Sequence, residues 1–262
     1  MAFYDLNKEQ RKLLSDKIGK ELLSDLYSGK NSYIINYFAD DDTYIRKTAY
    51  LAFGKIYKDK NDRRPEIIKQ LELLSANDDA KVRQTVINAA GEIGLTDFEK
   101  AEPFMERGLF DKHHSVRNAV IGSIKKTGEK NSVPVLAFAK RFLHHKDAEV
   151  RREICHGIEL FGRTHPEDIL PLLKELQHEK TARVRNTIIH VIGQISYKKG
   201  CLETVIKNLS TWENGALTKK AINEIIDVHE RYENFSTYSK EQAITYIEKT
   251  YIYSLCHQKN NQ

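Results

Sequence analysis

Apolar residues recur along most of this chain with the spacing of a buried helical stripe. The pattern follows five arginines, Arg46, Arg83, Arg117, Arg151 and Arg185, whose separations are 37, 34, 34 and 34 residues. Apolar or small residues stand three, four and seven positions after each arginine: Ala49, Tyr50, Phe53, Val86, Ile87, Ala90, Val120, Ile121, Ile124, Ile154, Cys155, Ile158, Ile188, Ile189 and Ile192. This spacing predicts one amphipathic helix per arginine, and a period of this length predicts a helical solenoid.

A second helical pattern precedes each arginine helix, so the repeating unit is a helix pair. The first helices of the pairs are predicted over residues 31–38, 65–75, 97–110, 133–143, 166–176 and 201–209. Polar turns join the two helices of a pair, and Asp42, Asp79 and Asp147 are predicted to cap the second helix. Gly94 and Gly162 follow their arginines by 11 residues, as does Gly128, and are predicted to end the second helices as C-caps.

The two ends of the chain depart from the period. Residues 1–30 contain an amphipathic segment, 7–28, which we expect to cap the first repeat. The repeats are predicted to cover residues 31–230 as about six helix pairs. Residues 231–262 are predicted to hold one capping helix, 239–253, and a frayed tail, 258–262. Together these segments predict a single all-α domain over residues 1–262.

Composition supports a helical protein with a large surface. Hydrophobic residues make up 40% of the chain and charged residues 30%, while glycine and proline number 13 and 5. The net charge of +5 is compatible with nucleic acid or with an acidic partner and requires neither. Three separated cysteines form no disulfide or zinc pattern, and no signal peptide or membrane-spanning run is present. We therefore expect a cytoplasmic protein that does not enter a membrane.

The turn and the start of the second helix carry a family resemblance. Segments 42–46, 79–83 and 147–151 each begin with aspartate and end with a β-branched residue and arginine. With the apolar positions that follow, this motif resembles HEAT and HEAT-like repeats, although His113 and Thr181 replace the aspartate in two units. The resemblance implies an α–α superhelix with the second helices on its concave side. It also implies that the arginines support packing between neighbouring turns; the alternative is a ladder of guanidinium groups that contacts phosphates.

A candidate binding surface follows from helix geometry. Positions one, five and nine after each arginine form a stripe beside the buried one, rich in amide, imidazole and guanidinium groups. The candidate binding residues are Asn88, Asn118, Arg152, His156, Asn186, His190 and Gln194. The alternative is a plain solvated face. His156 and His190 occupy equivalent positions on adjacent helices, but the sequence suggests no third ligand, so no metal site and no cofactor is predicted.

Basic residues also cluster in three places outside the stripe. The groups are Lys58, Lys60, Arg63, Arg64 and Lys69; Arg141, Lys146, Arg151 and Arg152; and Lys180, Arg183, Arg185, Lys198 and Lys199. They could follow a phosphate backbone, or they could be solvated loop residues.

Two functions from different classes fit these features. The first is a non-enzymatic scaffold that holds a protein partner in its groove, with nucleic acid as the alternative partner, and it is favoured because no nucleotide, protease or hydrolase motif is present. The second is a DNA glycosylase that removes alkylated bases, since some bacterial glycosylases are built from HEAT-like repeats. That chemistry requires a carboxylate, and the predicted stripe offers Glu92 alone, while Trp212 is predicted to be a packing residue. A bilin-lyase-like role rests on the shared repeat only.

Overall fold

The computed structural model describes residues 3–252, and every regular element in that range is helical. The α-helices are α1 (Lys8–Ser28), α2 (Ser32–Ala39), α3 (Thr43–Asp59), α4 (Arg64–Leu74), α5 (Ala80–Gly94), α6 (Phe98–Leu109), α7 (His114–Gly128), α8 (Ser132–Phe142), α9 (Ala148–Gly157), α10 (Glu159–Gly162), α11 (Pro166–Glu175), α12 (Ala182–Gln194), α13 (Cys201–Leu209), α14 (Gly215–Arg231) and α15 (Lys240–Ile247). Short 3₁₀ turns cover Phe3–Asp5 and Asn61–Arg63, and a π-helical turn covers Glu248–Ile252. The fold class is the predicted one, all-α with repeated helix pairs.

The predicted helix pairs match the observed helices closely. The first helices are α2, α4, α6, α8, α11 and α13, and each end lies within one residue of its prediction. The second helices are α3, α5, α7, α9 with α10, α12 and α14. The N-terminal segment is one helix, α1, which begins with a capping box between Asn7 and Gln10. The far capping helix, α15, begins after Ser239; the predicted tail, 258–262, lies outside the described residues.

The chain forms two compact units, Met1–Val135 and Leu136–Gln262. In the first unit the second helices pack in sequence, α3 on α1, α5 on α3 and α7 on α5. In the second unit α12 packs on α9, and α14 packs on α12. No helix of the described part combines the length and the apolar character that crossing a membrane requires.

The predicted apolar stripe is buried between the packed helices. The side chains three positions after each arginine, from Ala49 to Ile188, are completely buried, and those seven positions after it are buried as well. The residues four positions after the arginine are more variable, because Tyr50 and Ile189 are half-buried. Removal of these apolar surfaces from water is the main stabilising contribution to such a fold.

Aspartates in the turns are the N-caps of three second helices, as predicted. Asp42 accepts a hydrogen bond from the backbone N–H of Tyr44 at 2.8 Å, and Asp79 and Asp147 accept equivalent bonds at 2.8 and 2.9 Å. His113 substitutes for aspartate by accepting from the N–H of Ser115 through Nδ1 at 3.2 Å. One of the backbone donors that lack a partner at each of these helix starts is thereby satisfied.

The five repeat arginines bind the turn that precedes their own helix. In each case Nη1 donates to the carbonyl oxygen six residues earlier, at 2.5–3.2 Å, and the acceptors are Asp40, Asn77, Asp111, His145 and Glu179. Arg46, Arg83, Arg151 and Arg185 also donate to the carbonyl five residues earlier. These bonds satisfy carbonyls of the turn that follows the first helix, so the arginines have a structural role.

Two of these arginines also bind a carboxylate in the next turn, 28 residues further along the chain. Arg83 forms a two-point pair with Asp111 at 2.7 and 3.0 Å, and Arg151 forms one with Glu179 at 2.7 and 2.9 Å. The partner is therefore a carboxylate of the following repeat, which agrees with the role in packing between neighbouring turns that the repeat resemblance implies. Two parallel charge-assisted bonds fix both the distance and the orientation of adjacent turns.

The Arg151–Glu179 pair makes stability depend on pH at the acid end. The hydrogen bond from Arg151 lowers the pKa of Glu179 from 4.5 to about 2, although the burial of the Glu179 carboxylate by itself raises that pKa. A lowered folded-state pKa stabilises the fold fully above the unfolded pKa, and the contribution, about 3 kcal/mol, disappears as pH falls from about 4.5 to 2. We expect the urea midpoints of the wild type and of Glu179→Gln to differ at pH 7 and to converge towards pH 2. A gap that stays constant over this range would contradict the assignment.

The glycines at the ends of the second helices are not C-caps, so that prediction is wrong. Gly94 and Gly162 are the last helical residues of α5 and α10, and among the described residues positive φ values occur only at Gly29 and Gly200. A Cβ atom on Gly162 would collide with the side chain of Ile169 in the following first helix. Glycine is needed at this position for close helix packing, since the backbone there is ordinary helix.

Candidate functional site

The predicted binding residues lie along the second helices, and we call this set of positions the second-helix row. In the first unit Asn88 is half-buried on α5 and Asn118 is exposed on α7. In the second unit α9 contributes Arg152 and His156, and α12 contributes Asn186, His190 and Gln194. Glu224 on α14, which the sequence analysis did not single out, lies beside His190. Asn186 is exposed and Gln194 is buried, so the row in the second unit runs from the surface to the interior.

His156 and His190 meet at a buried carboxylate that the sequence did not suggest, Glu159. The Nε2 atom of His156 lies 3.1 Å from Oε2 of Glu159, and Nε2 of His190 lies 3.8 Å from the same oxygen. The carboxylate is only 2% exposed, whereas the two imidazoles are 32% and 40% exposed. The two rings stand perpendicular, with centroids 5.8 Å apart. A third candidate ligand is therefore present beside the two histidines.

The other oxygen of Glu159 is bound by Arg163, which follows α10. Nη2 of Arg163 donates to Oε1 of Glu159 at 2.6 Å and to Oε1 of Gln194 at 2.7 Å. This arrangement orients Glu159 so that Oε2 faces the imidazoles. On the far side of His190, Nδ1 lies 3.6 Å from Oε1 of Glu224. We call His156, Glu159, His190, Arg163 and Gln194 the Glu159 cluster.

Glu159 stands at a position that is glycine in most of the other repeats. It lies eight residues after its arginine, where Gly54, Gly91 and Gly193 stand in three repeats and Lys125 stands in the fourth. Those glycines allow close packing: a Cβ on Gly193 would lie 2.5 Å from Cγ of Glu224 on the next second helix. The regular helix is also interrupted here, because α9 ends at Gly157 and α10 begins at Glu159. An acid at a position that is glycine in three repeats is the sequence signal that could have identified Glu159.

Further carboxylates and guanidinium groups extend the cluster along α9 and α12. Arg152 donates from Nε to Glu149 at 2.9 Å, and its Nη2 lies 3.5 Å from Glu153, which is 1% exposed. Arg183 approaches the other oxygen of Glu149 at 2.9 Å. The basic groups of this region are thus paired with acids. The neighbouring thiol of Cys155 takes no part, since burial raises its pKa to about 12 and keeps it neutral.

Glu92 is the single acid that the sequence analysis found in the row. It lies in the first unit, where it forms an ion pair with Lys126. Its Oε1 lies 2.5 Å from Nζ of Lys126, and the side chain of Glu92 packs on Gly54. Trp212 is largely buried, and its Nε1 donates to Oδ1 of Asn208 at 2.8 Å, which agrees with a packing role.

Comparison with known proteins places this architecture among helical-repeat structures. No protein-family model and no curated protein sequence matches the chain. AlkD2 from Streptococcus mutans is similar over 78% of this chain and 97% of its own, with a TM-score of 0.54 and 16% sequence identity. A chain in the structure of Kap95p with RanGDP is similar over 95% of this chain and 36% of its own, with a TM-score of 0.51 and 13% identity. Identities this low establish the fold alone, and the chain therefore has the HEAT-like helical-repeat fold.

Proposed function

We propose that this chain is a binding scaffold whose second-helix row, in the second unit, holds a protein segment. The supporting observation is the mixture of hydrogen-bond donors and acceptors along the second helices of this unit. Arg152, Asn186 and His190 present donors, while Glu149 and Glu224 present acceptors. A polypeptide offers backbone and side-chain groups of both kinds, so a surface of mixed character complements it well.

The buried charges at the base of this surface support a role beyond folding. Glu153 and Glu159 are almost fully buried, and burial of charged groups costs free energy even when they are paired. The repeat itself does not require an acid at either position, since Thr85 and Gly91 stand at the equivalent places in an earlier repeat. Groups whose burial opposes stability are concentrated at functional sites in proteins.

Charge pairing favours a protein partner over nucleic acid. Affinity for a phosphate backbone depends on cations that are available to displace counterions. Here Arg152 and Arg183 share the carboxylate of Glu149, and the repeat arginines donate to turn carbonyls. In another basic group Arg63 contacts Asp62 and the ring of Tyr27. Acids beside these guanidinium groups repel phosphate and attract the basic and amide groups of a polypeptide.

Capture of partners by the full-length chain tests this proposal. The double variant Arg152→Gln/Asn186→Ala is expected to lose partner recovery from cell extract by about 10-fold or more, which corresponds to about 1.4 kcal/mol of binding. The control variant Asp168→Ala/Lys207→Ala changes the exposed surface of two first helices in the same unit and should capture as the wild type does. Circular dichroism would show that both variants remain folded. Equal recovery by all three proteins would remove the second-helix row from the binding surface.

A DNA titration separates the remaining alternatives. Fluorescence anisotropy with intact duplex DNA and with DNA that contains an abasic-site analogue, at two salt concentrations, should show no tight binding if the partner is a protein. Binding that weakens steeply with salt would indicate phosphate contacts instead. A preference for the abasic analogue would favour the glycosylase alternative, for which Glu159, with its buried carboxylate, is a better candidate than Glu92.

A further inference from the structure

We propose that His156, Glu159 and His190 form a binding site for a divalent transition-metal ion of the zinc type. Within the described part of the chain this is the group in which three such side chains converge, and their ligand atoms lie within 4.8 Å of one another. A zinc ion with bonds of about 2.0–2.2 Å in tetrahedral geometry needs ligand atoms about 3.4 Å apart. The distances from Oε2 of Glu159 to the two imidazole nitrogens, 3.1 and 3.8 Å, bracket that value.

The surroundings provide the outer contacts that metal sites use. A ligating histidine commonly donates its second ring N–H to a carboxylate, which fixes the ring and strengthens the ligand. Glu224 stands on the corresponding side of His190, with Oε1 3.6 Å from Nδ1 and so just beyond hydrogen-bond distance, while Nε2 faces Glu159. Ligating carboxylates are also hydrogen-bonded, and Arg163 binds the oxygen of Glu159 that the metal ion would not use.

The chemistry of the three ligands indicates the class of ion. Two imidazoles and one carboxylate suit zinc and other first-row transition metals, whereas calcium and magnesium prefer oxygen ligands alone. The partly exposed imidazoles leave the remaining coordination positions accessible to water or to a group of a bound molecule. Arg163 is a cation close to the site, so we expect moderate affinity; the Glu224 carboxylate offsets part of this repulsion.

Two other histidine–carboxylate contacts in the second unit lack this arrangement. His144 lies 2.7 Å from Glu175, and His178 lies 3.3 Å from Glu213. All four of these side chains are exposed, and neither pair belongs to a group of three candidate ligands among the described residues. A single exposed pair cannot orient a metal ion as three converging ligands do, so His178 serves as a matched control.

Titration of the chelator-treated full-length chain with zinc chloride, by calorimetry, tests the proposal. We expect one ion per chain with a Kd of about 10 µM or tighter. His156→Gln and His190→Gln should each weaken binding by about 100-fold, since each removes a direct ligand, while His178→Gln should leave it unchanged. Cobalt as a spectroscopic substitute should give the visible absorption of a tetrahedral site in the wild type and lose it in both ligand variants.

Several outcomes would overturn the assignment. They are the absence of binding by the wild type, binding that survives both ligand variants, and an equal loss in His178→Gln. Because the two imidazoles are partly exposed, their replacement by glutamine should preserve the fold, and thermal unfolding checks this. The proposal is independent of the proposed function: the titration uses the ion alone, and Arg152 and Asn186, the residues changed in the capture experiment, are not ligands.

Discussion

Replacement of Arg151 by methionine is expected to lower the free energy of unfolding by about 3 kcal/mol or more. The substitution leaves Glu179, whose side chain is only 7% exposed, as a buried charge without its two-point partner. It also removes the donor to the carbonyls of His145 and Lys146. Loss of one member of a buried ion pair is costly because the remaining charge keeps its desolvation penalty. Chemical denaturation followed by circular dichroism measures the change.

A double-mutant cycle separates the pair from the other contacts of Arg151. Glu179→Gln in the Arg151→Met background should cost less than Glu179→Gln alone, by about 1 kcal/mol or more. Arg46→Met is the control, since Arg46 donates to the carbonyls of Asp40 and Asp41 at the equivalent turn of another repeat. Strict additivity of Arg151→Met and Glu179→Gln would show that the ion pair does not stabilise the fold.

Gly91→Ala is expected to destabilise the chain by about 1–3 kcal/mol, although alanine is the better helix former. A Cβ atom at residue 91 would lie 2.5 Å from Oγ and 2.7 Å from Cβ of Ser123 on the next second helix. Ser123 cannot simply turn away, because its hydroxyl is buried and donates to the carbonyl of Ile87. The two helices would have to separate, and well-packed interiors resist this.

Gly122→Ala, on the adjacent helix α7, is expected to raise the stability of the chain. Beyond the neighbouring backbone of its own helix, no atom lies within 4 Å of the place where its Cβ would stand, so the substitution should stabilise by about 0.5–1 kcal/mol. Thermal unfolding of both single variants measures the contrast. A similar change in both proteins would mean that helix propensity, and not the approach of α5 and α7, decides the effect.

The fold followed from the sequence because its causes are local and repeated. The apolar stripe after each arginine and the capping aspartates, such as Asp79, each specify helix within a few residues. The partners of the arginines did not follow, since Asp111 and Glu179 lie 28 residues away and meet Arg83 and Arg151 only when consecutive repeats are stacked. The role of Gly162 was misjudged for the same reason: its neighbour Ile169 belongs to the next helix pair.

The candidate site was anticipated in part. Helix geometry placed His156 and His190 at equivalent positions on adjacent helices, and their rings do meet. Glu159 escaped notice because the stripe was drawn at positions one, five and nine after the arginine, while Glu159 stands at position eight beside an interruption of the helix. A regular-helix rule cannot predict which side chain faces a neighbour at such an interruption.

The turn carboxylates have a consequence for how unfolding spreads. Asp111 accepts bonds from two successive arginines, at its side chain from Arg83 and at its carbonyl from Arg117. Glu179 is bound in the same way by Arg151 and Arg185. In a linear array of repeats, the cooperativity of unfolding depends on the interaction energy between neighbouring repeats. These double attachments place part of that coupling in the turns, so a repeat that frays releases a bond of the repeat beside it.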